Sequence, residues 1–339
     1  MKDVQAAVAF RSSGRSLSGV VGRSREVWRS LTRLERAALV ILIGLVVLAA
    51  IGPIIAPHPP EQAVPSERLL SPSFAHPFGT DENGSDILSR ILAAPRIDVT
   101  VGVAATLLSV GIGAPLGVLI GFFEGGSRRA ASLAGHGTLR LLDVIQAFPV
   151  FIFAMVLVAV RGTGVANLII AISFVNLPVF IRLTRSELLR LREQPYAEAA
   201  RAVGNSDLTI AFKHLLPNAL APVMVQVSVT IGFSILLTAG LSFVGAGVSP
   251  PTPELGAMIA SGSEFMVLGD WWVSVLPGLV LAVAIFSFGV CGEILERLLQ
   301  PGAGRGGGWV SPGGSGAPLT GAAADLGDRT APKSELARQ

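Results

Sequence analysis

Long windows without a single Asp, Glu, Lys or Arg alternate along this chain with short charged stretches, and the windows set its architecture. Six of them approach or exceed the length of about 18–20 apolar residues that a helix needs to cross a bilayer. They run Ala37–Ala56, Val99–Phe123, Val144–Val160, Gly162–Ile181, Ala219–Val248 and Trp271–Gly292. Only "VRGTG" separates the third from the fourth, which predicts a tight helical hairpin. The fifth is too long for one straight span. Its Gly232, Gly240, Gly245 and Gly247, followed by Pro250 and Pro251, predict a helix that gives way to a loop. The pattern therefore predicts an all-α polytopic membrane protein with six transmembrane helices.

Composition agrees, and charge adds an orientation. The 339 residues are 51% hydrophobic and only 14% charged, against about 25% charged in ordinary soluble domains. With the N-terminus inside, the inside segments are 1–36, 124–143, 182–218 and 293–339, and they hold 22 of the 26 Lys and Arg residues. The positive-inside rule then places both termini in the cytoplasm. The predicted divisions are a basic arm (1–36), the first span (37–56), an extracytoplasmic segment (57–98), a five-span core (99–292) containing the inside loop 182–218, and a tail (293–339).

The arm's Arg11, Arg15, Arg23, Arg25, Arg29, Arg33 and Arg36 suit anchoring at an anionic inner leaflet. Nucleic-acid binding is the alternative for such an arm, and no partner of that kind is expected here. The arm is too long for the charged region of a signal peptide, so cleavage is not expected. From Pro301 onward the tail is rich in Gly, Ala, Ser and Pro, and disorder is expected. Its "GAGRGGG" run lacks the GK[ST] ending of a phosphate loop. No such loop occurs in the chain, so any ATP used in transport must be hydrolysed by another subunit. In the outside segment, "SDILSRIL" predicts a short helix from Ser85 to Leu92 with a Ser or Asp cap. His58 and His76, 18 residues apart in a Pro-rich stretch, do not have metal-ligand spacing, and neither is read as a ligand. The single cysteine, Cys291, lies in the last span and is read as a packing residue.

The inside loop 182–218 carries the candidate chemistry. "PYAEAARAV" begins with Pro195, which suits the first helical position, and is followed by Gly204, which suits the position just past a helix end. Glu198 falls in the first turn, where the helix dipole favours an anion. "NSDLTIAFKHLL" predicts a second helix capped by Asn205 or Ser206, with Pro217 marking the passage into the fifth span. A helix of about nine residues is shorter than the roughly 12–15 that become marginal alone in water, so it must pack on something. Ala197, Ala199, Ala200 and Ala202 would let a partner backbone approach, while Leu208, Ile210, Phe212, Leu215 and Leu216 would supply apolar contacts. A DNA-reading helix-turn-helix and an amphipathic helix lying on lipid are the alternatives. The first lacks polar base-reading side chains. Docking to a cytoplasmic partner accounts for glycine, small face and location together.

These residues resemble a known family. "EAARAVG" followed by "IAFKHLLPN" is similar to the EAA loop of ATP-binding cassette (ABC) importer permeases, with Glu198, Ala199, Ala200, Gly204, Leu216 and Pro217 on its pattern, Tyr196 just before it, and His214 where an Ile is usual. "HPFGTDENGSDILSR" (76–90), "RLLDVIQAFP" (140–149), "LSFVGAGVSPPTPELGAMI" (241–259) and "WWVSVLPGL" (271–279) resemble the second permease of the dipeptide/oligopeptide/nickel importers. Ser85, Thr238 and Leu255 depart from the usual Arg, Glu and Trp, and Pro95 interrupts a usual Gly-Ala-Arg; these changes are expected on the outside face or near the translocation path.

The resemblance implies the type I ABC importer permease fold in a bacterial or archaeal cytoplasmic (inner) membrane. It implies a homologous second permease subunit, two ATPase subunits that use ATP and Mg, and an extracytoplasmic solute-binding protein, with no cofactor or metal held by this chain and no catalytic residue. The helix at 196–203 would move as a lever when the ATPases close, with Gly204 permitting the turn, Glu198 pairing with the partner and Pro217 setting the angle. Di- or oligopeptides are the expected cargo, and nickel or another small solute the alternative. Candidate spans without interior ionisable residues argue against an ion-coupled carrier, and no protease dyad, selectivity-filter repeat or charged ring is present.

Overall fold

The computed structural model describes Trp28, residues 31–124 and residues 129–299. The expectations for most of the basic arm and nearly all of the tail fall outside these residues. Every regular element described is helical. The long helices are α1 (Arg33–Ile55), α3 (Pro95–Phe123), α4 (Arg129–Ala147), α6 (Val165–Leu191), α9 (Leu216–Phe243) and α11 (Trp272–Leu299), and the shorter ones are α2 (Ile87–Ala93), α5 (Val150–Arg161), α7 (Pro195–Ala202), α8 (Asp207–Thr209) and α10 (Leu255–Ser263).

α1 starts at a capping box: Glu35 N–H donates to Thr32 Oγ1 (3.3 Å) and Thr32 N–H donates to Glu35 Oε2 (2.8 Å). Glu35 is also ion-paired with Arg297 near the end of α11. Val40, Ile43, Val47 and Ile54 of α1 are exposed, as expected of a helix whose outer face meets lipid rather than water.

α3, α6, α9 and α11 form the centre. α3 and α6 approach closely because Gly113, Gly117 and Gly121 line one face of α3. A Cβ on Gly117 would lie 2.5 Å from the Ile181 carbonyl oxygen. Small residues at every fourth position are how membrane helices gain close packing where lipid removes the hydrophobic drive. Polar side chains join the same helices: Asn176 Nδ2 donates to Ser234 Oγ (2.9 Å), Thr106 Oγ1 and Ser234 Oγ lie 3.3 Å apart, and Ser109 Oγ donates to the Ser173 carbonyl (2.8 Å).

The structure moves several expected boundaries. Val144–Val160 is not one straight span: α4 and α5 meet at 93°. Pro149 lacks an N–H and biases Phe148 away from helical geometry, and it becomes the N-cap of α5. At 12 residues, α5 is about 18 Å long, short of the roughly 30 Å hydrocarbon core. Five helices are long and apolar enough to cross a membrane, and six if the bent pair counts as one. The fourth span does not stop at Ile181, since α6 runs ten residues further to Leu191. The expected short helix at Ser85–Leu92 is α2, capped by Asp86, whose carboxylate accepts from Ser89 N–H. The fifth span ends at Phe243 as its glycines predict, and α10 follows, capped by Glu254 through Gly256 and Ala257 N–H (2.9 and 2.7 Å).

Candidate functional site

At the end of the bundle where α6 leaves the core, α7 is mounted between α6 and the start of α9. Pro195 opens it and Ala202 closes it. Its end is a complete Schellman arrangement: Asn205 N–H donates to the Ala200 carbonyl (3.3 Å) and Gly204 N–H to the Arg201 carbonyl (2.9 Å). Asn205 Nδ2 adds a second bond to the Ala200 carbonyl (3.1 Å). This geometry requires a left-handed residue, and Gly204 has φ +86°. Nothing lies within 4 Å of a Cβ built there, so the glycine is needed for its backbone angle and not for space.

The small face of α7 is divided. Ala197 is fully buried, in a cluster with Val118, Phe122, Leu188, Ile210 and Leu215, and Ala200 packs against it. Ala199 and Ala202 are exposed, together with Glu198, Arg201 and Gly204. Alanine therefore seats α7 on this chain's own core and leaves a low-relief outer surface. The expected apolar set divides as well: Ile210 and Leu215 are buried and Leu216 half-buried, but Leu208 and Phe212 are exposed. With Tyr196 and Val203, the latter 83% exposed, they give the α7 end four exposed large apolar side chains. Sequence reading missed this division, because the two-helix pattern does not say which face its own core takes.

The second helix of the hairpin is not separate from the fifth span. Asp207–Phe243 forms one 37-residue helical run. α8 is capped by Ser206 Oγ, which accepts Thr209 N–H (3.3 Å). Ile210–Leu215 is a π-helical segment, and Leu216 and Pro217 follow it as the first two residues of α9. A proline inside a regular α-helix clashes with the carbonyl four residues back, and the wider π turn relieves that crowding. Asn218 Nδ2 donates to the His214 carbonyl in this turn (2.7 Å). Pro217 thus stands at the start of α9, at the expected passage into the fifth span, and the helical run continues through it without a break.

Beside the bend between α4 and α5 lies an open-sided cavity of about 280 Å³, lined also by α6 and α9. Phe148, Phe153, Val229 and Phe233 give it apolar walls, and Asn176 and Gln226 are among its few polar groups. It has no carboxylate, imidazole or thiol. Thr238, expected on the outside face or near a path, is fully buried in this chain, donating from Oγ1 to the Ser234 carbonyl (2.8 Å). Leu255 is also buried, in an apolar cluster with Ile87 and Trp272. Ser85 lines a cleft at the opposite end of the bundle from α7, with Arg90 and Pro251.

Among the described residues, one group could hold a metal ion: His58, His76 and Asp86, away from α7. The fold closes the 18-residue separation that argued against the two histidines.

The chain is similar to known proteins. Residues 113–305 match the family described as the binding-protein-dependent transport system inner membrane component, and residues 23–72 match the N-terminal transmembrane domain of oligopeptide transport permease C. The glutathione transport system permease protein GsiD of Pectobacterium atrosepticum is 36% identical over 280 residues, covering 82% of this chain and 90% of that protein. The protein of the same name from Escherichia coli O1:K1 is 38% identical over 279 residues, 81% of this chain and 89% of that one. Among solved structures, an inward-facing MetNI methionine ABC transporter shares the fold, with TM-score 0.50, 21% identity, and coverage of 61% of this chain and 94% of that chain.

Proposed function

Because this chain belongs to the binding-protein-dependent transport system inner membrane component family, and is a permease subunit of an ABC importer rather than an ATPase, we propose that α7 is its joint with the ATPase subunits. The observation that carries this reading is the outer surface of α7. Glu198 and Arg201 stand exposed beside Ala199 and Ala202, flanked by Tyr196, Val203, Leu208 and Phe212. A short helix with a flat alanine face, two charges and an apolar rim fits a groove on a folded protein. The buried Ala197 and the long helical run behind it let a push on α7 reach α6 and α9 as rigid-body motion. Glu198 is the pairing residue in this reading, Gly204 fixes the turn, and Leu216 and Pro217 lie where the turn joins α9.

The α7 end is then cytoplasmic, as are both termini, and the His58 end faces the solute-binding protein. A second, homologous permease closes the other side of the cavity beneath the α4–α5 bend, and the two together make the path. That wall presents amides and aromatic carbon, which suit the neutral backbone of a small peptide. The lack of metal-binding side chains in it disfavours a bare nickel ion as cargo.

Tagging the chain, extracting it gently and identifying its companions by mass spectrometry tests the assembly. A second permease with one or two ATPases is the expected result. Recovery of the chain alone, even after mild crosslinking, contradicts it.

A further inference from the structure

The segment between α1 and α2 contains a side-chain cluster that the importer reading does not use. His76 Nδ1 lies 3.0 Å from Asp86 Oδ1, and His58 Nδ1 lies 3.7 Å from Asp86 Oδ2. The two imidazoles stand with ring centroids 4.8 Å apart, tilted by 31°. His76 and Asp86 are buried, and His58 has a half-exposed side chain.

We propose that His58, His76 and Asp86 bind one divalent transition-metal ion of the Zn²⁺ type and that the ion staples the stretch after α1 to the start of α2. One donor atom from each of the three residues lies within 4.8 Å of the others. Ligands at about 2.0–2.1 Å from a tetrahedral ion stand roughly 3.3–3.5 Å apart, so the two His–Asp86 separations of 3.0 and 3.7 Å are close to those of a bound ion, and the widest donor separation, up to 4.8 Å, must close by about an ångström through rotation of the half-exposed His58 ring. Two imidazole nitrogens and one carboxylate oxygen favour zinc, copper or nickel over magnesium or calcium.

The surroundings are those of ligands held in place. His76 Nε2 faces Glu67 Oε2 at 3.5 Å, and a shift of a few tenths of an ångström would bring it into range to donate its Nε2–H to that carboxylate while Nδ1 takes the ion. That carboxylate–histidine–metal relay is the usual device for orienting a metal-binding imidazole. Asp86 Oδ2 accepts from Ser89 N–H (2.8 Å) and Ser89 Oγ (2.6 Å). His58 is positioned through its own backbone, whose N–H donates to Ser89 Oγ (3.0 Å).

A purely hydrogen-bonded cluster leaves one atom unexplained. Asp86 Oδ2 is already engaged twice by Ser89, and His58 Nδ1 is buried without a hydrogen-bond partner. Buried polar atoms are rarely left so. An ion shared with His76 and Asp86 gives that nitrogen a partner. Three protein ligands leave one coordination position for water, as expected of an exchangeable ion rather than a closed structural site.

The test uses the full-length chain in lipid nanodiscs, with no polyhistidine tag, stripped with chelator and titrated with Co²⁺ as a visible probe before displacement by Zn²⁺. One equivalent should bind, with the d–d spectrum of a tetrahedral nitrogen/oxygen site, and Zn²⁺ should raise the melting temperature. His58→Gln and His76→Gln should each weaken binding by about tenfold or more and abolish the Zn²⁺-dependent thermal shift. His214→Gln, at the α7 end, should bind as the unmodified chain does. His58→Gln is the more informative variant because its half-exposed ring adds least to the apo fold, which the metal-free melting curve checks. Failure of the unmodified chain to bind one equivalent, or unchanged affinity in either cluster variant, overturns the proposal.

Discussion

Arg185 forks onto Glu124, with Nε 2.5 Å from Oε2 and Nη2 2.7 Å from Oε1, and so ties the lower part of α6 to the end of α3. The pair is largely shielded from solvent. It sits one turn before Leu188 and two before Leu191, which pack against Ala197 of α7. The mount of α7 is therefore braced against α3 by a bidentate, charge-assisted contact, stronger and more directional than a single ion pair.

Glu124→Gln should loosen this brace. Losing a partly buried charged hydrogen-bond pair costs on the order of 1–3 kcal/mol. The variant should still insert but melt lower and transport less per ATP hydrolysed. The reversed pair Glu124→Arg with Arg185→Glu should recover part of the coupling, which transport and ATPase assays in proteoliposomes would reveal.

Gly204 is set by its angle. Alanine at φ +86° incurs roughly 1–2 kcal/mol of left-handed strain, and valine, branched at Cβ, more. Gly204→Val should therefore leave membrane insertion intact and abolish transport, whereas Gly204→Asn, which tolerates this region better, should retain much of it. Normal uptake by the valine variant would remove the turn from the mechanism.

Glu198 is exposed, so Glu198→Lys should leave the free energy of unfolding within about 0.5 kcal/mol of the original. Its effect should appear in the assembled transporter, as weakened retention of the ATPase that grows milder at high salt. Equal loss of stability and of ATPase binding would mean that the residue serves the fold.

Close approach at Gly117 makes the opposite prediction. Gly117→Leu places a branched side chain against the Ile181 backbone and should prevent α3–α6 packing altogether, visible as loss of folded protein after detergent extraction. Gly111 has open space for a Cβ on the same helix, and Gly111→Ala should be tolerated.

Gln226 and Asn176 are the test of the path. Gln226→Leu, in the cavity wall, should change uptake of small peptides while leaving basal ATPase activity and assembly unchanged. Asn176→Leu should also destabilise, because Asn176 bonds Ser234 within the core.

Much of this architecture was legible in the residues because membrane helices announce themselves by length and by lack of charge. The hairpin at "VRGTG", the loop after Phe243 and the short helix ending before Gly204 followed from glycine and proline chemistry. The failures are equally physical. Pro149, where the chain turns by 93°, lies inside a charge-free window whose length and composition carry no sign of the bend. The division of α7 into a buried Ala197 and an exposed Ala199 depends on tertiary seating, which a run of alanines cannot specify. The convergence of His58 and His76 depends on how a proline-rich segment closes, and no local spacing encodes that.

If α7 docks on the ATPase, a single-cysteine crosslink will capture the contact. In a Cys291→Ser background, Ala199→Cys on the exposed face of α7 should form a crosslink to the ATPase subunit that changes in yield when ATP is added. Val267→Cys, 92% exposed at the other end of the chain's bundle, should form none. Absence of any crosslink from Ala199→Cys in the assembled transporter, or equal yields at the two positions, would mean that α7 is not the joint with the ATPase.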